Sequence, residues 1–278
     1  MPTSAAALRI EIEHALEHRF PAALTPVPRT IREVAATGVP EIDKLLDGGL
    51  PVGAISELTG PDSSGRTSLA LAFLAQRTAE GQVCAWVDAG DAFDPESAAA
   101  SGVGLQRLLW VRCRNFSAHD RAALSAKPLA WRGGRETRPW TRLDQSLRAT
   151  DLLLQAGGFA SIVLDLGDTA PQHCNRIPLA TWFRFRQAAD RARCSLVVLG
   201  KAAYAQSSAA VVLECLPLRA ETAGGAVLCG FTFEARRERA AAAAFSSMMT
   251  GARKSPASTW SASAAWQRGD AYERRPNE

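Results

Sequence analysis

The chain has 278 residues, of which 47% are hydrophobic, and a formal net charge of +4. This length can bury a full core, so one large domain with terminal segments is expected rather than two equal domains. No apolar run reaches the roughly 18–20 residues of a membrane-spanning helix, and the first residues lack the regions of a secretory signal. Six scattered cysteines without a C-x-x-C pair argue against a zinc site and for reduced thiols. A cytoplasmic protein with no membrane partner is therefore expected.

The N-terminal segment is predicted to be separate from the core. Residues 8–20 have the spacing of an amphipathic helix, and Pro21, Pro26 and Pro28 then form a linker. Such a helix either docks on another subunit or partner, or packs on its own domain. We therefore divide the chain into a helix and linker at 1–34 and a core beginning at residue 35.

Strands alternate with helices along the core at 35–239. Strands are predicted at residues 55–59, 83–88, 108–112, 161–165 and 194–199. Helices are predicted from residues 69, 97, 144 and 179, and an irregular insertion loop at 115–141. Two further apolar segments, 210–215 and 227–233, are predicted to close the sheet as an antiparallel pair. This alternation predicts an α/β fold with a mostly parallel twisted sheet flanked by helices.

The C-terminal segment at 240–278 is rich in alanine, serine and arginine. We predict that this low-complexity tail is disordered, because it offers little apolar surface to bury. It carries Trp260 and Trp266, which are either a partner-docking motif or accidental.

A phosphate-binding loop with one altered position follows the first long predicted strand. Residues 60–67 read Gly-Pro-Asp-Ser-Ser-Gly-Arg-Thr, whereas the P-loop pattern G-x-x-x-x-G-K-[ST] has lysine where this chain has Arg66. A strand, a glycine turn and a helix N-terminus form an anion site from backbone N–H groups and the helix dipole. The alternative is a glycine loop that only turns the chain. The candidate phosphate-binding residues are Gly60, Ser63, Ser64, Gly65, Arg66, Thr67 and Ser68.

Metal binding at this loop depends on a nucleotide being present. Thr67 supplies a hydroxyl, and Asp165, at the end of an apolar run, supplies the acid that would hold Mg²⁺ if a magnesium nucleotide binds. Arg66 is bulkier than lysine and forked, so it is expected to crowd the nucleotide or to turn outward. ATP and magnesium are thus candidate ligands, and no cofactor is required.

Arginine accounts for the uneven distribution of charge. From Arg107 to Arg148 there are ten Arg or Lys residues against three Asp or Glu, and from Arg176 to Arg193 five Arg against one Asp. These segments suit nucleic acid or an acidic protein, or they are the solvated surface of a protein from an arginine-biased genome. The candidate nucleic-acid or partner residues are Arg112, Arg114, Arg132, Arg135, Arg138, Arg184 and Arg186.

Residues 37–67 and 81–95 resemble the start of the RecA recombinase core, and the likeness extends over roughly residues 35–235. In RecA a glutamate at the position of Gly90 activates the attacking water, and here that side chain is absent. After the strand ending at Leu199, RecA carries a glutamine that senses the γ-phosphate and a long DNA-binding loop. This chain has Gly200-Lys201 and only about ten residues before the next strand. The resemblance therefore implies that phosphate binding, water activation and the relay to DNA are all altered.

This combination resembles the RecA-like ImuA proteins of bacterial damage-inducible mutagenesis cassettes. The resemblance implies an accessory factor in SOS-induced translesion synthesis and DNA repair, located in the cytoplasm at the nucleoid. It also implies an ImuB-type Y-family-like protein and a second DnaE-type polymerase as partners, with RecA and DNA as further candidates. Nucleotide hydrolysis is not expected, so no catalytic residue is assigned. The alternatives are an active RecA-type DNA-dependent ATPase or recombinase, and a plain DNA-binding module.

Overall fold

The structure is a computed structural model that describes residues 33–114, 141–223, 227–240 and 255–263. The predicted N-terminal helix, nearly all of the predicted insertion loop and Trp266 fall outside these residues.

The described chain alternates strands and helices, as the sequence predicts. The strands are β1 (Val34–Ala35), β2 (Leu50–Pro51), β3 (Ile55–Thr59), β4 (Cys84–Asp88), β5 (Leu108–Arg112), β6 (Ser161–Asp165), β7 (Ser195–Gly200), β8 (Ala209–Ala223), β9 (Val227–Ala240) and β10 (Ala257–Ser263). The helices are α1 (Pro40–Leu45), α2 (Arg66–Ala79), α3 (Pro95–Ala100), α4 (Arg142–Ala156), α5 (Pro171–Cys174) and α6 (Leu179–Ala192).

One eight-stranded sheet organises the fold, in the order β10-β9-β8-β3-β7-β6-β4-β5, and β1 pairs with β2 beside it. The strands from β8 to β5 in this order run parallel. β9 is antiparallel to β8, and β10 is antiparallel to β9. The predicted α/β fold with a mostly parallel sheet is thus confirmed, including the closing antiparallel pair.

Two apolar layers cover the two faces of the sheet. Alternate residues of the parallel strands, such as Trp86 and Val163, pack with the apolar side of α2 on one face. Their neighbours, such as Val87 and Ile162, pack with α4 and α6 on the other face. Strands buried on both faces read as continuous apolar runs, which explains why the sequence located them so well.

Side-chain caps fix where the helices begin. At α4, Thr141 Oγ1 accepts a hydrogen bond from the Asp144 amide while the Asp144 carboxylate accepts one from the Thr141 amide. At α3, the Asp94 carboxylate accepts hydrogen bonds from the amides of Glu96 and Ser97. Each cap satisfies amides that a helix leaves without partners in its first turn.

The prediction of a disordered tail is wrong for residues 257–263. These residues form β10, which pairs with β9 from Gly230 to Arg236 and lies beside α1. Trp260 is only 5% exposed, and its ring packs against Phe233 with 4.7 Å between centroids. One buried indole and a ladder of backbone hydrogen bonds order a segment whose composition is otherwise poor in apolar residues.

Candidate phosphate site

The carboxyl ends of β3, β4, β6 and β7 meet at one edge of the sheet. Parallel α/β sheets bind ligands in the crevice at this edge. Here it carries the loop after β3, which begins at Gly60, and the acids that end two strands, Asp88 and Asp165. The sequence singled out both the loop and Asp165, and the fold brings them together.

The loop has the backbone form of an anion-binding turn. Ser63 and Gly65 adopt positive φ angles of 59° and 85°, and α2 begins at Arg66. The Gly60 amide donates to the carbonyl of Gly200 at 3.2 Å, which ties the loop to β7. Among the described residues, the amides of Ser63, Ser64 and Gly65 donate to no backbone group. These amides, together with the positive end of the helix dipole, are the elements that bind phosphate.

Aromatic rings from the C-terminal strands cover the loop. A methyl group added at Gly65 would lie 2.8 Å from Cζ2 of Trp260 and 2.9 Å from the Phe233 ring. Glycine is therefore required there for close packing as well as for its positive φ. No local sequence pattern indicates this contact, because Trp260 lies 195 positions after Gly65.

Arg66 points into the crevice and does not turn outward. The residue is 9% exposed, and its Nη2 lies 3.5 Å from Asp62 Oδ1. A methyl group placed on Gly167 would be 3.7 and 3.8 Å from the two terminal nitrogens of Arg66 and 3.1 Å from Asp165 Oδ1. The guanidinium therefore occupies the space beside Asp165, which agrees with crowding of a nucleotide.

Two buried polar atoms of the loop lack a protein partner. The Arg66 Nη1 atom and the Ser64 Oγ atom are both buried, and neither forms a hydrogen bond within the described residues. Buried polar atoms are nearly always hydrogen-bonded in native proteins. Both atoms are therefore available to a hydrogen-bond acceptor that the described residues do not supply.

The environment of Asp165 favours its neutral form. Burial raises its pKa to about 6, and the nearby carboxylates of Asp88 and Asp168 act in the same direction. A 2.9 Å hydrogen bond from the Gly167 amide to Oδ1 opposes this shift, as does the charge of Arg66. The carboxyl group that should hold a metal ion is thus held less acidic than an ordinary aspartate.

A pocket of about 140 Å³ joins the predicted metal residues. Thr67 and Asp165 both line it, together with Arg66, Asp168 and an apolar floor that includes Trp86. Within the described ranges, no group of three or more His, Cys, Asp or Glu side chains is arranged to hold a metal ion. The guanidinium of Arg66 stands beside Asp165, where a divalent cation would meet a fixed positive charge. The residues present therefore do not fit Mg²⁺.

A carboxylate from another strand fills the space beside Gly90. A methyl group at this glycine would lie 2.8 Å from Asp168 Oδ2 and 3.0 Å from its Cβ. The φ angle of Gly90 is not in the left-handed region, so the backbone would accept a side chain and only the space is taken. Sequence reasoning missed Asp168, although it lies three positions after Asp165.

The short loop after β7 is fixed by a buried carboxylate. Glu57 Oε1, on β3, accepts hydrogen bonds from the amides of Tyr204 and Ala205 at 2.6 and 2.9 Å. Lys201 Nζ forms a 3.0 Å contact with Asp62 Oδ2 in the phosphate loop. This ion pair lowers the pKa of Asp62. The segment is thus anchored at both ends, which differs from a long mobile DNA-binding loop.

The candidate arginines do not form one cluster among the described residues. Arg112, at the end of edge strand β5, makes a two-pronged ion pair with Asp91 and stacks on Trp110 at 4.7 Å. Arg184, on α6, contacts the buried Asp151 of α4 at 3.1 Å.

The remaining candidates are placed as follows. Arg186 lies over the ring of Phe183, which is 48% exposed, at 5.3 Å. The backbone of Arg114 exchanges hydrogen bonds with the Gln145 side chain. Arg132, Arg135 and Arg138 fall outside the described residues.

A search for membrane-spanning segments within the described residues found no helix that is both long and apolar enough.

Known proteins resemble this chain in the sequence of its N-terminal part and in its overall fold. Residues 6–116 match the RecA N-terminal domain family. The RecA protein of Nostoc sp. (strain PCC 7120) is 47% identical over 77 residues, which are 28% of this chain and 22% of that protein. The RecA protein of Allorhizobium ampelinum is 30% identical over 184 residues, which are 61% of this chain and 43% of that protein. The chain thus spans less than half the length of these curated relatives.

A solved structure is similar over most of the chain. The crystal structure of the RadB recombinase aligns with a TM-score of 0.53 and 17% identity, covering 81% of this chain and 94% of RadB. At this identity the likeness concerns the fold alone. The strand order, the phosphate loop and the match over residues 6–116 agree with it. The chain is therefore RecA-like, in its α/β fold and in the sequence of its N-terminal part.

Proposed function

We propose that this protein is a RecA-fold accessory factor in DNA repair that acts through protein partners rather than through RecA-type nucleotide turnover. The observation that carries the proposal is the position of Arg66, buried beside Asp165 in the crevice where a metal-bound nucleotide would have to fit. The similarity to RecA proteins supports the link to DNA repair. The resemblance to ImuA adds the specific setting, translesion synthesis in the SOS response, at the nucleoid.

The chemistry of phosphoryl transfer explains why this site disfavours turnover. Hydrolysis by a P-loop protein needs a cation on the terminal phosphates, a metal ion and a group that orients the water. The cation is present as Arg66, but it lies beside Asp165, the acid expected to hold the metal ion, and the residue at position 90 has no carboxylate. General-base positioning alone is worth about 10²–10⁴ in rate. The residues of this site therefore suit the binding of phosphate groups better than the hydrolysis of a nucleotide.

An ATPase assay tests the catalytic half of this proposal. We expect no phosphate release above background with ATP, magnesium and single-stranded DNA, because both metal binding and water activation are impaired. A RecA protein assayed in parallel provides the positive control. DNA-stimulated turnover comparable to that control would instead support an active RecA-type ATPase or recombinase.

A co-purification assay tests the partner half. We expect the full chain to retain an ImuB-type Y-family-like protein, and through it or directly a DnaE-type polymerase, when these are co-expressed. RecA belongs in the same assay as a further candidate partner. A chain ending at residue 263 keeps the described fold and separates the role of the last residues from that of the core. Failure of the full chain to retain any of these proteins would refute the proposal.

Direct DNA binding is a second candidate, favoured by the ten basic residues against three acidic ones between Arg107 and Arg148. In the described part of this segment, however, Arg112 is already paired with Asp91. Binding through phosphates must weaken steeply with salt, because each neutralised phosphate releases counterions. A titration of single-stranded DNA at several salt concentrations decides the matter, since a flat response excludes this reading.

A further inference from the structure

The phosphate loop contains two buried hydrogen-bonding groups that have no partner among the described residues and that could both donate to an anion. Ser64 is 1% exposed and Arg66 is 9% exposed, and their Oγ and Nη1 atoms have no hydrogen-bond partner within the described residues. Leaving a charged donor buried without an acceptor is costly. A ligand that supplies acceptor oxygens and negative charge would remove this cost.

The position of the guanidinium indicates what kind of anion fits. It lies against Gly167, beside Asp165. It shares the loop with the amides of Ser63, Ser64 and Gly65, which donate to no backbone group in the part of the chain that the structure describes. In a chain of phosphate groups, one group could accept hydrogen bonds from the loop amides, and the adjacent group could accept them from the Arg66 guanidinium. Arginine forks onto phosphate with two parallel hydrogen bonds and keeps its charge at any physiological pH.

We propose that this loop binds the phosphate groups of a di- or triphosphate without a metal ion, with Arg66 in the place that the metal takes in a magnesium-dependent site. This inference rests on the altered nucleotide site of the proposed function and adds its ligand chemistry. The ligand is either a nucleotide or a free polyphosphate, since both present the same groups to the loop.

The neighbouring charges allow this exchange. The contact between Arg66 and Asp62 is 3.5 Å long, and the Asp62 side chain is 71% exposed, so water screens the pair and a phosphate can replace it. Asp62 keeps Lys201 as a second partner at 3.0 Å. Asp165 and Asp168 also line this pocket, and Arg66 is the positive charge that lies between their carboxylates and an incoming anion.

Calorimetric titration of the full-length protein tests the inference directly. Tripolyphosphate and ATP are each titrated once with EDTA and once with magnesium chloride. We expect binding in EDTA to be at least as tight as binding with magnesium, because the metal competes with Arg66. Equal affinity of the two ligands identifies a free polyphosphate as sufficient, and tighter binding of ATP identifies a nucleotide.

Four variants separate a specific site from general charge. Arg66→Gln should weaken binding in EDTA roughly 10–100-fold, the range for a lost hydrogen bond to a charged group. Ser64→Ala should weaken it roughly 2–10-fold and keeps the fold testable if Arg66→Gln is unstable. Arg66→Lys should make binding tighter with magnesium than with EDTA. Arg191→Gln, at an exposed position of α6, removes the same charge and should leave affinity unchanged.

Three results overturn the inference: no binding of either ligand in EDTA, binding that requires magnesium in the unaltered protein, or equal loss in Arg191→Gln and Arg66→Gln. These outcomes differ from those that refute the proposed function. If partners fail to co-purify while metal-free binding is found, only the function in repair is wrong. If partners co-purify and the titration is flat, only the metal-free site is wrong.

Discussion

At position 90 the side chain is absent, and the carboxylate of Asp168 lies next to the space that a side chain would enter. Asp168 Oδ2 lies 2.8 Å from the point where a Cβ of residue 90 would be, so a side chain at position 90 requires the exposed Asp168 carboxylate to move. The sequence alone suggested a simple loss of the water-activating residue. The structure shows that a second carboxylate, that of Asp168, now lies beside this position, so a restored carboxylate would share the space with it.

We predict that Gly90→Glu destabilises the protein by at most about 1 kcal/mol, because the exposed Asp168 side chain can move aside. Asp168→Gly in the same chain should recover most of that loss, because it frees the space. A double-mutant cycle from denaturant unfolding measures the coupling. Additive effects of the two substitutions would show that the residues do not compete for space.

We also predict a pH-dependent effect of Asp165→Asn. The native pKa of about 6 lies above the ordinary value of 3.8, so the folded state holds a proton more firmly, and stability falls as pH rises from 3.8 to 6. Asparagine does not titrate. The stability of the variant relative to the unaltered protein should therefore increase over this interval and stay constant at higher pH. Two pKa units set an upper limit of about 3 kcal/mol.

Urea unfolding at pH values between 4 and 8 checks this prediction. Asp91→Asn is the control of opposite sign, because Arg112 lowers the pKa of Asp91 and its charged form is the stabilising one. That variant should be less stable than the unaltered protein by an amount that stays nearly constant from pH 4 to pH 8, because the charge of Asp91 contributes fully above the ordinary aspartate pKa of 3.8. The same pH response in both variants would be inconsistent with these environments.

At the scale of elements, the segment after β7 is held by its neighbours. Glu57 lies on β3 and accepts two amides of the segment, while Lys201 within it contacts Asp62 in the phosphate loop. Because all these partners belong to the fold of one chain, the segment has little freedom to report on a ligand. This agrees with the interpretation that the relay from nucleotide to DNA is lost.

We predict that Glu57→Ala releases this segment. Two buried amides would lose their acceptor, at a cost of about 2–4 kcal/mol in unfolding free energy. Hydrogen exchange should show faster exchange at Tyr204 and Ala205, whereas Glu57→Gln, which keeps an acceptor oxygen, should change them less. Unaltered protection of both amides in Glu57→Ala would show that another contact holds the segment.

Most elements could be predicted from local sequence patterns. The others depend on contacts between residues that are far apart in the sequence, which such patterns do not show. The strands at Leu108–Arg112 and Ser161–Asp165 have the predicted bounds because each is an apolar run. β8 was predicted to end near residue 215 but continues to residue 223. Its outer part lacks a continuous apolar run, and within the described residues it pairs with β9 alone. β10 and the contact between Gly90 and Asp168 depend on residues far apart in the chain, which periodicity does not register.

At the scale of the molecule, the C-terminal strand is part of the core. We predict that a chain ending at residue 240 loses several kcal/mol of stability, because burial of a Trp side chain alone is worth about 3–5 kcal/mol. A chain ending at residue 263 should melt within a few degrees of the full protein. Thermal unfolding of the two truncations decides this, and equal melting temperatures would show that β10 contributes nothing.

The position of Trp260 near the end of the described chain has a consequence for the order in which the phosphate loop is synthesised and covered. The indole packs on Gly65, yet the ribosome delivers it 195 residues later. During synthesis the loop therefore emerges early and stays without this cover until almost the whole described chain has been made. Chains stalled before residue 257 should expose the loop to protease, and chains stalled well beyond residue 263 should protect it.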